Sequence, residues 1–254
     1  MRELNEVLKD YLGCACDFFS TKISSEELRR AYEEAQERGK KEGTVPVLLA
    51  LDQRLMESLL YNASPSCNGR DFDRDEVMKY RENMLTQPLE SGREVLDELL
   101  EGLREDAEID GYDMEELMTD ELEDGGSYPG FISQWDTDTL HRSADFLVLT
   151  EIPVKNPWEV FAYLPFGGWN ECPDTPILMA VSKYWYEQYG AVVSVMTGDE
   201  LEFAVPTPVS EDDAVRLAKE QYVFCADIVD QGIGTTGALA DSLCQSNYWY
   251  FWWD

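Results

Sequence analysis

Four acidic residues in the C-terminal part of the chain are of a type that supports acid–base or metal chemistry. They are Glu171, Asp227, Asp230 and Asp254, and Gln231 directly follows Asp230. Two carboxylates that a fold brings close together can divide the roles of general acid and general base, or bind a divalent cation through oxygen ligands. The spacing does not enforce such a pair, because Asp227 and Asp230 can equally cap a helix or face water. No catalytic residue is therefore assigned from the sequence.

Aromatic residues are concentrated in the same part of the chain. Of the 30 Phe, Trp and Tyr residues, 18 lie from Trp158 onward, and every position from 248 to 253 is aromatic. Packing in a core is the usual role of such rings, and a pocket with Trp rings on one wall is the alternative. A central strand covered by helices on both faces would explain the aromatic tail. A binding surface on one face of that strand is the other interpretation.

Residues 166–170, Phe-Gly-Gly-Trp-Asn, form the most loop-like segment of this region. Two glycines permit a tight turn and the close approach of a ligand to backbone N–H groups, while Trp and Asn can stack and donate hydrogen bonds. We expect a structural turn here, with a ligand site as the alternative. The candidate ligand pocket comprises Trp158, Trp169, Asn170, Glu171, Tyr222, Asp227, Asp230, Gln231, Trp252 and Asp254.

The chain contains one histidine, His141, and six cysteines. One histidine excludes sites with several His ligands and leaves one candidate for a Ser–His or Cys–His mechanism, with Cys172 or Cys225 as the nucleophile. The scattered cysteine spacing favours reduced, mostly buried thiols over disulfides. Residues 71–82 and 106–117 resemble calcium-binding loops, but the first lacks the central Gly and the second lacks the final Glu. We predict no metal and no cofactor.

The charge balance is strongly acidic. The 254 residues include 52 Asp and Glu against 20 Lys and Arg, a net charge of −32. Phosphates and anionic lipids repel such a chain, so we predict neither nucleic-acid nor membrane binding. Residues 90–124 contain 16 acidic and 2 basic residues, with leucines at helical spacing. This segment is interpreted either as a solvated helical insertion or as a docking surface for a basic protein. The candidate partner-binding residues are Glu98, Glu101, Glu105 and Asp106.

The elements that must position these residues fall into three segments. Residues 1–64 alternate helix and strand, with a capping-box pattern at Ser24 and Glu27 and a further helix cap at Asp52. They predict an N-terminal α/β unit resembling βαβ with a parallel strand pair. Residues 65–144 predict an acidic helical insertion and a linker. Residues 145–254 predict strand, helix, hairpin, two helices and strand. The hairpin is expected to turn at Gly198 and Asp199, since glycine tolerates the positive φ of a two-residue loop. The fold class predicted is α+β, with a mostly antiparallel C-terminal sheet flanked by helices.

The C-terminal segment also resembles a bacterial family known only as domain of unknown function 4253. The resemblance is carried by residues 157–160 and 162–173, by 197–201 and 220–222, and by 225–232 and 248–254. The family often has Pro where this chain has Ala226, and the first 144 residues match it loosely. The resemblance implies a bacterial cytoplasmic protein with the α+β fold described above. It implies no activity and no catalytic residues.

Two functional hypotheses follow. The favoured one is a non-enzymatic acidic module that binds a basic protein, immunity-like in the sense that bacterial immunity proteins neutralise basic nuclease toxins by charge complementarity. The alternative is a small-molecule or metal-assisted enzyme that uses the Trp- and carboxylate-lined pocket. The N-terminal residues lack the pattern of a secretory signal, and no apolar stretch approaches the roughly 20 residues that span a bilayer. A cytoplasmic location is therefore expected, and no oligomeric state is predicted.

Overall fold

The computed structural model describes residues 3–69, 71–111, 113–131 and 144–254. The strands are β1 (Ala15–Phe19), β2 (Val45–Leu51), β3 (Phe146–Ile152), β4 (Val192–Met196), β5 (Glu200–Ala204) and β6 (Tyr248–Trp252). The helices are α1 (Leu4–Leu12), α2 (Ser25–Glu42), α3 (Gln53–Ala63), α4 (Arg74–Thr86), α5 (Gly92–Asp110), α6 (Thr175–Tyr189), α7 (Glu211–Phe224) and α8 (Thr236–Gln245). Short 3₁₀ helices span Met114–Glu116 and Pro157–Ala162, and a π-helical turn spans Ile228–Ile233.

All six strands belong to one sheet, in the order β1-β3-β2-β4-β5-β6. Its pairs are antiparallel except for β2 and β4, which run parallel. The α+β fold class with a mostly antiparallel sheet flanked by helices is therefore confirmed. The parallel β2–β4 pair joins strands from the first and third predicted segments. The segment boundaries themselves stay a prediction.

The predicted N-terminal strand pair differs in one respect. β1 and β2 run in the same direction, as expected for strand–helix–strand, but β3 lies between them and pairs antiparallel with both. Local sequence cannot reveal this arrangement, because the intervening strand comes from about 100 residues further along the chain. The parallel pair predicted for β1 and β2 was therefore wrong at the level of hydrogen bonding.

The helices cover the two faces of the sheet unequally. Val47, Leu49 and Leu51 of β2 point into a large core shared with α1 and with α3 to α8. Leu48 and Ala50 point to the other face, where α2 covers a smaller core. Both faces of this central strand are thus buried, which explains its nearly uninterrupted apolar sequence. Among the described residues, no helix has both the length and the apolar composition needed to cross a membrane.

Local capping signals position the helices as predicted. At the start of α2, the Glu27 N–H donates to Ser24 Oγ (3.2 Å) and the Ser24 N–H donates to Glu27 Oε2 (3.1 Å), which completes the capping box. At the start of α3, the Leu55 N–H donates to Asp52 Oδ1 (2.8 Å). The predicted acidic insertion is helical in α4 and α5. Residues 132–143 of the predicted linker lie outside the described residues.

The predicted β4–β5 hairpin forms around Gly198 and Asp199, but not for the expected reason. We expected a positive φ at Gly198, and its φ is not positive. A Cβ atom at this position would lie 2.8 Å from Cδ of Arg54, whose guanidinium pairs with Asp199 (2.6 Å). A side chain at position 198 would therefore have to displace the Arg54 side chain, which crosses the turn.

Candidate functional site

An acidic groove of about 730 Å³ lies between α5 and the C-terminal end of α7. Its lining contains no Lys, Arg or His among the residues that the structure describes. Six carboxylate side chains line it: Glu90, Glu98, Asp106, Glu171, Asp227 and Asp230. We call this feature the acidic groove. It unites two sets of residues that the sequence analysis treated separately, the ligand-pocket candidates and the partner-binding candidates.

Three elements bring these carboxylates together. Glu98 and Asp106 come from α5 and are about two helical turns apart. Glu171 lies in the loop that follows the 3₁₀ helix Pro157–Ala162. Asp227 and Asp230 come from the π-helical turn beyond α7. The groove therefore depends on the packing of α5 against the C-terminal segment. Local sequence patterns do not predict this long-range contact.

The groove has an apolar base. Val95, Phe224 and Trp253 line it and are buried, whereas Glu98, Asp106 and Glu171 are exposed. The carboxylates therefore surround the mouth of the groove and the apolar side chains lie beneath them. Such a site suits a ligand that has a cationic end and an apolar stem, as Lys and Arg side chains do.

Four of the predicted pocket residues form one hydrogen-bonded chain that fixes the C terminus. The Asn170 amide donates to the Asp254 carbonyl, and the Asp254 N–H donates to Asp227 Oδ2 (3.0 Å). The Gln231 amide donates to Asp227 Oδ1 (2.7 Å). Asn170 adopts a φ of +46° to make its contact. The Asp227 carboxylate therefore joins Asp254, two residues beyond β6, to the π-helical turn.

Asp230 and Tyr222 are linked to each other. Partial burial raises the pKa of Asp230, a hydrogen bond from the Tyr222 hydroxyl lowers it, and the negative charge of Asp227 raises it again, with a net increase. Tyr222 is fully buried and does not line the groove. Its contribution to the acidic groove is therefore indirect, through Asp230.

The remaining predicted residues lie elsewhere. Trp158 packs against Tyr186, with ring centroids 5.4 Å apart, and Trp169 packs edge-on against Phe166 at 5.9 Å. Neither ring lines the acidic groove. Glu101 and Glu105 are exposed on α5 but also lie outside the groove lining. At about 100° per residue, Glu105 and Glu101 lie about 20° and 60° around α5 from Glu98, on the side away from Asp106.

The Phe-Gly-Gly-Trp-Asn loop forms a turn whose backbone groups are largely paired within the protein. Gly167 and Gly168 have φ values of +81° and +77°. The Gly168 N–H lies within hydrogen-bonding distance of the Cys172 (3.1 Å) and Pro173 (3.2 Å) carbonyls. The Asn62 amide donates to the carbonyl oxygens of Pro165 and Gly167. These contacts fit the expected structural turn.

The aromatic tail alternates cleanly between the two faces of β6. Trp249, Phe251 and Trp253 are buried in the large core, where Phe251 stacks on Trp185 with ring centroids 5.5 Å apart. Tyr248, Tyr250 and Trp252 point to the other face and are partly buried. β6 lies at the edge of the sheet, so the interpretation of the tail as a central strand was wrong.

The sequence analysis missed two carboxylates on β5, of which Glu202 is fully buried and Glu200 is partly buried. Glu202 is fully buried and accepts hydrogen bonds from the Tyr128 hydroxyl (3.0 Å) and from the Phe131 N–H. Glu200 accepts a hydrogen bond from the Tyr250 hydroxyl (2.7 Å). Burial raises the pKa of Glu200 to about 7. The sequence feature that could have revealed them is the i, i+2 spacing of two acidic residues in a strand. Only the strand pairing shows which tyrosines face them.

The hypothesis that Cys172 or Cys225 acts as a nucleophile with His141 gains no support from the described residues. All six cysteines are free, and Cys172 and Cys225 are buried. Burial raises the pKa of both thiols, which disfavours the nucleophilic thiolate. His141 lies outside the described residues.

The two calcium-like patterns fall at helices. The segment with the first pattern, residues 71–82, leads into α4, and Asp106 of the second pattern lies inside α5.

The carboxylates of the acidic groove belong to a side-chain type that ligates divalent cations. Within the ranges that the structure describes, no group of three or more His, Cys, Asp and Glu side chains is arranged to hold a metal ion. The six groove carboxylates thus surround a space without converging on one point. This geometry suits an extended cationic ligand better than a single ion.

Comparison with known proteins gives one match. Residues 148–254 match the model of a family described as Domain of unknown function (DUF4253). No curated protein and no solved structure matches the chain. The matched range begins inside β3 and includes the π-helical turn, the C-terminal hydrogen-bonded chain and the aromatic strand β6. The match is confined to the C-terminal part of the chain, and it covers the motifs that carry the resemblance noted in the sequence.

Proposed function

We propose that this protein is a non-enzymatic binding module whose acidic groove receives a basic segment of a partner protein. The observation that carries the proposal is the convergence of six carboxylates in one groove with no Lys, Arg or His among its described lining residues. A groove of this kind would be self-repulsive when empty, so a cationic occupant relieves repulsion as well as gaining attraction.

The shape of the groove supports a side-chain ligand. Arg or Lys stems would pack on Val95, Phe224 and Trp253, while their charged heads meet the exposed carboxylates at the mouth. Arginine suits such a site particularly well, because its guanidinium forms paired hydrogen bonds with carboxylates and stacks on aromatic rings. The net charge of −32 would steer basic proteins toward the molecule and repel nucleic acids and anionic membranes.

The enzymatic alternative is also compatible with the convergence of Glu171, Asp227 and Asp230 in one groove. Binding is favoured over paired-carboxylate catalysis because both oxygens of Asp227 already accept hydrogen bonds from Gln231 and Asp254. These two hydrogen bonds occupy part of the lone-pair capacity that a general base would use, and they orient the Asp227 carboxylate toward protein donors. We further propose a bacterial, cytoplasmic protein, and an immunity-like role in which the partner is a basic toxin is the most specific form of the hypothesis.

Affinity capture from the native lysate tests the proposal. The tagged chain would be incubated at low salt, washed, and eluted at high salt, and the eluate would be identified by mass spectrometry. We expect a stoichiometric basic protein that high salt releases, because screening weakens attraction between exposed charges.

A matched pair of double variants makes this capture specific to the groove. Glu98→Lys with Asp106→Lys alters the groove, whereas Glu101→Lys with Glu105→Lys alters the same helix outside it and changes the net charge equally. The first pair should lose the partner and the second should retain it. An eluate without a basic partner, or equal loss in both variants, would contradict the proposal.

A further inference from the structure

A second cavity, of about 290 Å³, lies along the outer edge of β6. We call it the edge cavity. Five aromatic side chains line it: Tyr128, Tyr248, Trp249, Tyr250 and Trp252. Its other walls come from α7, the π-helical turn and α8, and only Asp227 lines both this cavity and the acidic groove. The volume is at the lower end of the range for ligand pockets, so a small ligand is implied.

Gln221 of α7 borders the edge cavity and is fully buried. Neither the oxygen nor the nitrogen of its amide has a hydrogen-bond partner among the residues that the structure describes. Trp249 is a second buried residue that borders the cavity, and its indole N–H has no described partner either. Buried polar groups are normally satisfied, because leaving one unpaired costs free energy. A donor and an acceptor are therefore held ready beside a space that a ligand can enter.

The backbone of β6 offers a further donor and acceptor on the same side. Backbone hydrogen bonds join Val205 to Asn247 (2.8 Å) and Trp253 to Asp199 (3.2 Å) at the two ends of the β5–β6 ladder. Hydrogen-bonded and non-hydrogen-bonded pairs alternate in an antiparallel ladder, so the Glu202–Tyr250 pair is a non-hydrogen-bonded one. The N–H and C=O of Tyr250 consequently point away from β5, along the open edge that the cavity follows.

We propose that the edge cavity binds a small, planar, unphosphorylated heterocycle that carries an amide-like edge, of the nucleobase or nicotinamide class. Aromatic side chains offer such a ring stacking or edge contacts. A ligand edge with one donor and one acceptor complements the Gln221 amide, which in turn presents one of each. The acidic surroundings disfavour a phosphate group on the ligand. This inference is independent of the acidic groove and of any basic partner.

The test uses the full chain and three probes, uracil, hypoxanthine and nicotinamide, measured by saturation-transfer NMR. We expect at least one probe to bind, and its 5′-phosphorylated nucleotide to bind about tenfold more weakly. Gln221→Leu should weaken binding of that probe by about tenfold or more, since it removes both amide atoms. The same substitution should leave the melting temperature unchanged or raise it, because two unpaired buried polar atoms disappear.

Two further variants keep the test decisive. Gln53→Leu on α3 is the matched control, because Gln53 bonds to Glu57 (2.6 Å) and neither residue lines the cavity. This variant should bind the probes normally. Trp252→Ala removes a partly exposed wall of the cavity and should weaken binding even if Gln221→Leu folds poorly. The proposal is overturned if none of the three probes binds, or if a folded Gln221→Leu or Trp252→Ala binds them as well as the natural chain.

Discussion

Glu200 is held where burial opposes its ionisation. Its carboxylate accepts hydrogen bonds from Tyr250 (2.7 Å) and Thr197 (3.2 Å), which favour the charged form. Burial and the nearby charge of Asp199 outweigh these bonds and raise the pKa of Glu200 to about 7. The folded state therefore binds this proton more tightly than the unfolded state does. The contribution of this proton to stability is fully present below the pKa of Glu200 in the unfolded chain, about 4.3. It is lost as the pH rises through the folded-state pKa of about 7.

Glu200→Gln should consequently stabilise the protein at high pH and not at low pH. Glutamine keeps the acceptor for Tyr250 and carries no charge. At pH 8 we expect an increase in the free energy of unfolding of up to about 3 kcal/mol, and at pH 4.5 almost none. Urea unfolding of both proteins at the two pH values measures this difference. Glu94→Gln, an exposed position on α5, is the control, and an equal effect of Glu200→Gln at both pH values would refute the burial argument.

At the scale of elements, α5 is the wall on which the acidic groove depends. Its first residue, Gly92, lies so close to α6 that a Cβ atom would come within 2.3 Å of the Ala180 carbonyl oxygen and 2.6 Å of the Tyr184 Cβ. The backbone of α5 can therefore approach α6 only with glycine at this position. Gly102, ten residues further along the same helix, has no other heavy atom within 4 Å of the Cβ position.

The two glycines predict opposite effects of the same substitution. Gly92→Ala should destabilise the protein by about 1–3 kcal/mol, because the added methyl group must push α5 and α6 apart. Gly102→Ala should stabilise it by about 0.5–1 kcal/mol, since alanine has the higher helix propensity and meets no obstacle. Thermal and urea unfolding measure both. If both substitutions stabilise the protein, the close contact between α5 and α6 is not as described.

Elements with strong local signals were predictable from sequence, and their long-range partners were not. The capping box at Ser24, the Asp52 cap and the leucine spacing of α5 correctly located three helices. The position of β3 between β1 and β2 depends on pairing across about 100 residues, for which these patterns carry no information. The candidate site divides in the same way. Residue types and chain proximity suggested Asp227 and Gln231, whereas Gln221 belonged to a family motif (residues 220–222) and was not a site candidate.

At the scale of the whole molecule, the matched family range does not contain a complete sheet. Residues 148–254 provide β4, β5, β6 and most of β3, but β2 stands between β3 and β4. Without β2, β3 loses its neighbour and β4 gains an open edge. Val47, Leu49 and Leu51 of β2 also contribute to the large core, so their removal exposes apolar surface on the remaining strands.

A fragment consisting of residues 148–254 should therefore fail to fold cooperatively. We expect no sharp thermal transition and poorly dispersed amide resonances, in contrast to the full chain. Adding a separately produced fragment of residues 1–131 should restore some structure if the missing strands are the cause. A fragment 148–254 that unfolds cooperatively near the melting temperature of the full chain would show that β2 is dispensable.

The acidity of the molecule acts at this scale through the field that it creates. Concentrated negative charge accelerates the encounter with a basic partner, and this acceleration falls steeply with ionic strength. If the charge acted only diffusely, any carboxylate on α5 would contribute equally. The acidic groove predicts instead that Glu98 and Asp106 matter more than Glu101 and Glu105, because only the first two line it.

The most direct test of this central claim is the binding kinetics of the captured partner at low and physiological ionic strength. The natural chain would be compared with Glu98→Lys plus Asp106→Lys and with Glu101→Lys plus Glu105→Lys. We predict that the groove variant loses at least about tenfold in affinity, with slower association and a weaker dependence on salt, whereas the outer variant changes about threefold or less. Equal losses in the two variants would show that the groove is not the binding site.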